Sequence, residues 1–255
     1  MADELLRERR GHLEILTINR PEARNAINLE TATALSDALD DIEADDDVWV
    51  VVLTAAGDKA FSAGMDLKGF AEGKIPATKN GGFAGICARS FSKPLVAAVN
   101  GAALAGGFEI MLSCDLVIAA ESARFGIPEV TRGLIAGAGG LIRLPKRIPK
   151  AIALEMALTG DPISAARAAE LGIVNRVVAA EDVLTEAISL AERIAKNAPL
   201  AVRYSKEVLT KAAEMPEQDA WPMNNVLFKA SGETHDAYEG AVAFAEKREP
   251  NWQGR

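Results

Sequence analysis

The chain has 255 residues, 49% hydrophobic and 25% charged, enough to bury the core of one large α/β domain, alone or with a smaller appendage. A net charge of −8 without any basic cluster argues against nucleic-acid binding, although helix N-termini and a few Lys or Arg side chains leave local anion sites open. Two cysteines in unrelated contexts, no apolar run of the ~20 residues that span a bilayer, and a charged start (MADELLRERR) without an apolar stretch point to a soluble, cytoplasmic protein without disulfides, zinc site, secretory signal or membrane partner.

The elements follow in chain order. Leu13–Ile18 reads as a short strand ended by Pro21. Asn28 can cap a helix with Glu30 in its first turn and Leu35, Leu39 and Ile42 on one face, stopped at Asp45–Asp47. Trp49–Leu53, Leu95–Val99 and Leu116–Ala119 are continuous apolar runs, as expected of strands buried on both faces. Residues 69–92, punctuated by Gly73, Pro76, Gly81 and Gly82, predict a mobile loop or broken helix, either a binding segment or a tolerated surface insertion. Beyond residue 145 the chain is mainly helical: Ser164 caps a short helix, Ile173–Val178 forms a last strand, and Val183–Asn197 is amphipathic. Further helical sequence covers Ala201–Ala213 and Asp236–Lys247, with Pro199, Pro216 and Pro222 as punctuation. The alternation predicts an α/β domain with largely parallel strands.

The chemistry concentrates in residues 100–140. Glu109 and Glu129 lie in apolar, glycine-rich surroundings, where a carboxylate must be paired, protonated or working. Local sequence leaves two readings: an acid/base pair, or carboxylates neutralised by Arg124, Arg132 or Arg143. Glycines before the helix that starts near Gly106, and the run Ser62-Ala63-Gly64-Met65-Asp66 after the strand at Trp49–Leu53, suit backbone N–H groups turned toward an anion. Close helix–strand packing explains the same glycines. The two histidines, His12 and His235, have no Ser or Cys elbow nearby, and HExxH, Walker A and GxGxxG patterns are absent, which disfavours triad hydrolases, transition-metal sites and nucleotide cofactors.

Five ordered segments, NRPEARNAIN, VVLTAAGDKAFSAGMDLK, KPLVAAVNGAALAGGFEIMLSCD, FGIPEVTRGLIAGAGG and EGAVAFAEKREPNW, together resemble the crotonase superfamily, the enoyl-CoA hydratase/isomerase family. The segments around Met65, Gly81–Gly85 and the ending FAEKREPNWQGR look most like its carnitinyl-CoA dehydratase branch. The resemblance implies a spiral of ββα repeats over residues 1–195, a helical C-terminal trimerisation region over 196–255, and a homotrimer or hexamer. It also implies a small-molecule acyl-CoA thioester as substrate, with no cofactor or metal beyond the coenzyme A the substrate carries.

By the same resemblance, the N–H groups of Met65 and Gly106 form an oxyanion hole for the thioester carbonyl, Glu109 activates water, and Glu129 delivers a proton. Arg24, Ala26, Ser62, Ala63, Gly64, Asp66, Leu67, Lys68, Phe244 and Lys247 fall on substrate- and CoA-binding positions. Members with other reactions commonly lack one glutamate, so retention of both favours hydration or dehydration over enoyl-CoA isomerisation or acyl-CoA binding alone. Two departures stand beside the site: Ala105 replaces the first glycine of a common GGG, and Ala136 replaces a proline often found before GAGG. Met65 stands where many hydratases have alanine, a change that could narrow the acyl pocket.

Overall fold

A computed structural model describes residues 4–255; residues 1–3, the start of the segment read as lacking a secretory signal, lie outside the described residues. β1 (Leu5–Arg10) turns into β2 (Leu13–Ile18), and α1 (Leu29–Ala44) follows a 3-10 turn at Pro21–Ala23. The Asn28 side chain accepts from the Thr31 N–H at 2.8 Å, and Leu35, Leu39 and Ile42 are buried, as the capping and periodicity predict. Next come β3 (Val50–Ala55), β4 (Ala60–Ser62), α2 (Leu67–Ala71) and the small hairpin β5 (Ala77–Thr78) and β6 (Gly82–Phe83). β7 (Leu95–Val99), β8 (Ala102–Leu104) and α3 (Gly106–Leu112) form the next unit. β9 (Leu116–Ala120), β10 (Arg124–Gly126), a 3-10 turn at Pro128–Arg132 and α4 (Gly140–Arg147) form another.

These units have one logic. The first strand of each (β3, β7, β9) enters a six-stranded sheet ordered β1-β2-β3-β7-β9, continued by β12 (Arg176–Val178). The second (β4, β8, β10) enters a four-stranded sheet that also takes β11 (Ile163–Ser164). The chain then passes through a helix and repeats. Pairing is parallel throughout the larger sheet except for β1 against β2. β3 and β7 are buried along their whole length, which explains their unbroken apolar sequence. This is the ββα spiral that the resemblance implies.

Between β10 and the C-terminal region lie α5 (Lys150–Thr159), α6 (Ala165–Glu170), capped by Ser164 as expected, and α7 (Val183–Ala195), which packs on β3, β7 and β9. The last part is helical: α8 (Pro199–Ala212), α9 (Glu217–Gly232) and α10 (His235–Glu246). Among the described residues no helix is long and apolar enough to cross a membrane.

Three local outcomes differ from the sequence reading. β1 is a strand with an almost fully exposed side-chain set, so it carries no apolar alternation. Its Arg7 and Arg9 pair instead with Glu14 on β2 and with Asp41 and Asp45 at the end of α1. α9 runs through Pro222, read as punctuation; the ring lacks an N–H for the Gln218 carbonyl, and the helix continues without that bond. Residues 69–92 are neither a loose loop nor a mere surface insertion. Ala84, Ile86 and Cys87 are core residues, and Arg89 binds Asp40 and Ser36 of α1, which locks the segment onto that helix.

Candidate active site

Two backbone turns meet first. β4 ends at Ser62, whose buried Oγ accepts from the Gly64 N–H at 3.1 Å. Gly64 has φ +92, and a Cβ there would lie 2.8 Å from the Gly106 nitrogen, so both the conformation and the close approach call for glycine. Met65 then forms a single parallel bridge to Ile27: the Ile27 N–H donates to Gly64 and the Asp66 N–H to Ile27. That pattern turns the Met65 N–H away from Ile27.

On the other side β8 leads to Ala105 at φ 52, ψ −129, a conformation that glycine adopts readily and alanine does not. The Ala105 N–H donates to the Gly126 carbonyl at 2.9 Å, and this turn starts α3 at Gly106. Gly106 is held against the Phe83 ring, and a Cβ on it would fall 2.5 Å from that ring. Among the described residues neither the Met65 N–H nor the Gly106 N–H donates to a protein acceptor. Two free N–H groups beside a close backbone contact can hold an anionic oxygen.

Glu109 lies one turn into α3, on the same helical face as Gly106, and is 2% exposed. Its Oε1 accepts from the N–H groups of Ala138 at 2.7 Å and Gly140 at 2.8 Å, at the start of α4. Burial pushes its pKa up to about 7; Glu129 pushes in the same direction, while the two N–H bonds and the Arg143 charge pull it back. Glu129 is the second residue of the 3-10 turn that opens with Pro128. Its Oε2 is buried with no hydrogen-bond partner among the described residues. Burial raises its pKa as well, opposed by its own N–H. Both carboxyls therefore shift upward, and what separates them is the support each one receives.

Met65, Gly106, Glu109 and Glu129 line one cavity of about 920 Å³, together with Ala63 and Leu67. Neither glutamate forms an ion pair among the described residues, so the reading that Arg124, Arg132 or Arg143 neutralises one of them is set aside. Arg143 binds carbonyls instead, those of Ala138 and Cys87.

The other expected positions fall into two groups. Arg24, Ala26, Ser62, Gly64, Asp66 and Lys68 surround the Met65 turn without lining the cavity. The Arg24 carbonyl accepts from the Ala63 N–H, the Ala26 carbonyl from Arg20, and Asp66 caps α2 while pairing with Arg20. Phe244, 87% exposed, and Lys247 lie on and just after α10, outside the cavity walls of this single chain. The sequence reading missed the Ala138–Gly140 clamp, the Phe83 wall, and the Lys146–Glu214 ion pair at the cavity's edge. The run Gly137–Gly140 was the available signal for the clamp.

The sequence matches the family model described as enoyl-CoA hydratase/isomerase over residues 8–255. The chain belongs to the enoyl-CoA hydratase/isomerase family. It is 41% identical over 262 residues to carnitinyl-CoA dehydratase of Salmonella enteritidis PT4, covering 100% of both chains. Among solved structures it is similar to an enoyl-CoA hydratase from Mycobacterium tuberculosis H37Rv, with TM-score 0.96, 47% identity and coverage of 99% of this chain and 100% of the other. It is also similar to a carnitinyl-CoA hydratase from Mycobacterium avium, with TM-score 0.80, 46% identity and full coverage of both chains. Relatives bearing the two names thus share similar identity with this family member, and both α/β folds extend over its whole length.

Proposed function

We propose that this chain is an acyl-CoA hydro-lyase, adding water across C2=C3 of a 2-enoyl-CoA or removing it from a 3-hydroxyacyl-CoA. The observation that carries this reading is a buried carboxyl (Glu109) and a half-buried one (Glu129) with a buried Oε2, neither ion-paired among the described residues, on one cavity with two unengaged backbone N–H groups. Attack of water at C3 moves charge onto the thioester oxygen. The Met65 and Gly106 N–H groups, fixed before the reaction begins, would stabilise that charge; one such donor is typically worth about 3–4 kcal/mol.

In this reading Glu109 orients the water and takes its proton as the O–C3 bond forms. Its two N–H donors favour the carboxylate form that a base needs. Glu129, with an unpartnered oxygen and no cation against it, suits the protonated form and delivers its proton to C2 as the enolate collapses. Dehydration reverses both transfers. Coenzyme A enters and leaves as part of the substrate.

The acyl group is the finer question, because the relatives' names divide between enoyl-CoA and carnitinyl-CoA. A quaternary ammonium favours aromatic faces. Among the described residues the cavity carries one aromatic ring, Phe83, alongside Arg132, Arg143 and Lys146, and its walls include Ile75, Leu134 and Ile135. These walls favour an uncharged acyl chain over crotonobetainyl-CoA. The test is a panel of enoyl-CoA thioesters followed at the absorbance of the conjugated thioester. Crotonyl-CoA turned over at least tenfold more efficiently than crotonobetainyl-CoA supports the reading. The opposite order assigns the carnitine-type substrate, and CoA-ester binding without turnover of any member removes the hydro-lyase reading.

We further propose that residues 196–255 serve assembly into a trimer or hexamer in the cytoplasm. Leu209, Phe228, Tyr238 and Phe244 on the last three helices are each more than 70% exposed, the composition of a surface covered by another copy. Light scattering on the purified protein tests it, and a monomer at micromolar concentration contradicts it.

A further inference from the structure

Arg143 is half-buried on α4 and lines the cavity, yet among the described residues it pairs with no carboxylate. Its guanidinium donates through Nη1 to the Ala138 carbonyl at 3.2 Å and through Nη2 to the Cys87 carbonyl at 2.5 Å. Ala138 is also the residue whose N–H donates to Glu109. Cys87 belongs to the segment that carries Phe83, the wall packed on Gly106. One planar fork therefore joins the loop that clamps Glu109 to the segment that backs the Gly106 turn. A lysine, with a single ammonium, cannot reproduce that fork.

We propose that Arg143 is a positioning residue for the reaction: it fixes the 138–140 backbone on the Glu109 carboxylate and ties that clamp to the segment of residues 83–87. The proposal rests on Glu109 acting as the base. It differs from a substrate-binding role, because both observed donations go to protein carbonyls. Among the described residues, Arg143 is the one cation facing Glu109. β4 and β8 carry no titratable side chain, Glu129 faces it from the 3-10 turn, and the Cys87 thiol faces it from the segment beyond. The other α4 cations are engaged elsewhere, Lys146 by Glu214 and Arg147 by the carbonyls of Leu112 and Cys114.

The test measures crotonyl-CoA hydration by wild type, Arg143→Met, Arg143→Lys and Glu109→Gln across pH, with thermal melts on each. Arg143→Met is expected to lose at least tenfold in kcat with KM within twofold. Its acidic limb should move up by half a pH unit or more, because a cation that favours the carboxylate is gone. Arg143→Lys should keep the limb near its original position while losing several-fold in kcat. If Arg143→Met fails to fold, the lysine variant decides alone: kcat at the wild-type level overturns the proposal. Unchanged kcat and limb in Arg143→Met also overturn it, as does a rise in KM with kcat intact, which marks a substrate contact. Glu109→Gln separates the two layers. If it is inactive while both Arg143 variants behave as wild type, only the positioning role fails. If it keeps wild-type activity, the base assignment fails and takes the positioning role with it.

Discussion

Glu109 and Glu129 are both withdrawn from water and face one cavity, yet the backbone treats them in opposite ways. Glu109 sits on a helix, with one oxygen held by two N–H groups at the start of the next helix and a guanidinium beyond them. Glu129 sits in a 3-10 turn, and its Oε2 meets no donor or acceptor among the described residues. Burial alone raises both pKa values, so burial does not assign roles. The difference lies in what each charge would meet. A carboxylate at Glu109 finds two N–H donors from another element; one at Glu129 finds only its own backbone N–H, and its Oε2 has no partner among the described residues. In the proposed roles, acid and base are separated by backbone geometry and only secondarily by charge neighbours.

The largest way to break this comparison is to replace each acid in turn. Glu109→Gln and Glu129→Gln should each lose on the order of 10²–10⁴-fold in the hydration rate of crotonyl-CoA, the range that a positioned acid or base supplies. An isomerase working through Glu129 alone would spare Glu109→Gln, and progress curves on crotonyl-CoA would show it.

The next effect is on stability, and its sign follows from the raised pKa. The folded state holds the Glu109 proton up to about pH 7, while an ordinary glutamate releases it near 4.5. The native state therefore loses stability relative to the unfolded chain as pH rises from about 4.5 through 7. Glu109→Gln removes that loss. Denaturant titrations should find the variant more stable than wild type at pH 8, by up to about 3 kcal/mol, with the gap closing near pH 4. A gap that does not change with pH would contradict the shift. A smaller effect concerns Ala105, which holds a backbone conformation suited to glycine. Ala105→Gly should raise stability by about 1 kcal/mol, strain relief being partly offset by the greater freedom of glycine in the unfolded chain. A lower melting temperature would show that the alanine is not strained.

The molecule was legible in its sequence wherever one signal dominated. The unbroken apolar runs marked the strands of the larger sheet, and Asn28 and Ser164 marked helix starts, because these signals are local. β1 escaped because a two-sided exposed strand held by an ion network has no apolar alternation. α9 escaped because proline usually ends a helix, and here it only removes one bond. At the site, the resemblance singled out Met65, Gly106, Glu109 and Glu129, and folding brings all four to one cavity. Ala138 and Gly140 were missed because they act through N–H groups, which every residue but proline carries, and the glycine-rich run 137–140 hinted at a close approach without saying to what. Phe244 and Lys247 stand apart from the cavity because a single chain does not bring α10 to it.

The most direct test of the division of labour uses butyryl-CoA, which has C2 protons but no double bond to hydrate. In D₂O, exchange at C2 needs a group that takes the proton and returns a deuteron; it does not need an activated water at C3. With Glu129 as the acid at C2 and Glu109 as the base at C3, Glu109→Gln should retain most of the C2 exchange while losing hydration, and Glu129→Gln should lose both. Exchange that survives in Glu129→Gln and vanishes in Glu109→Gln would contradict the assignment.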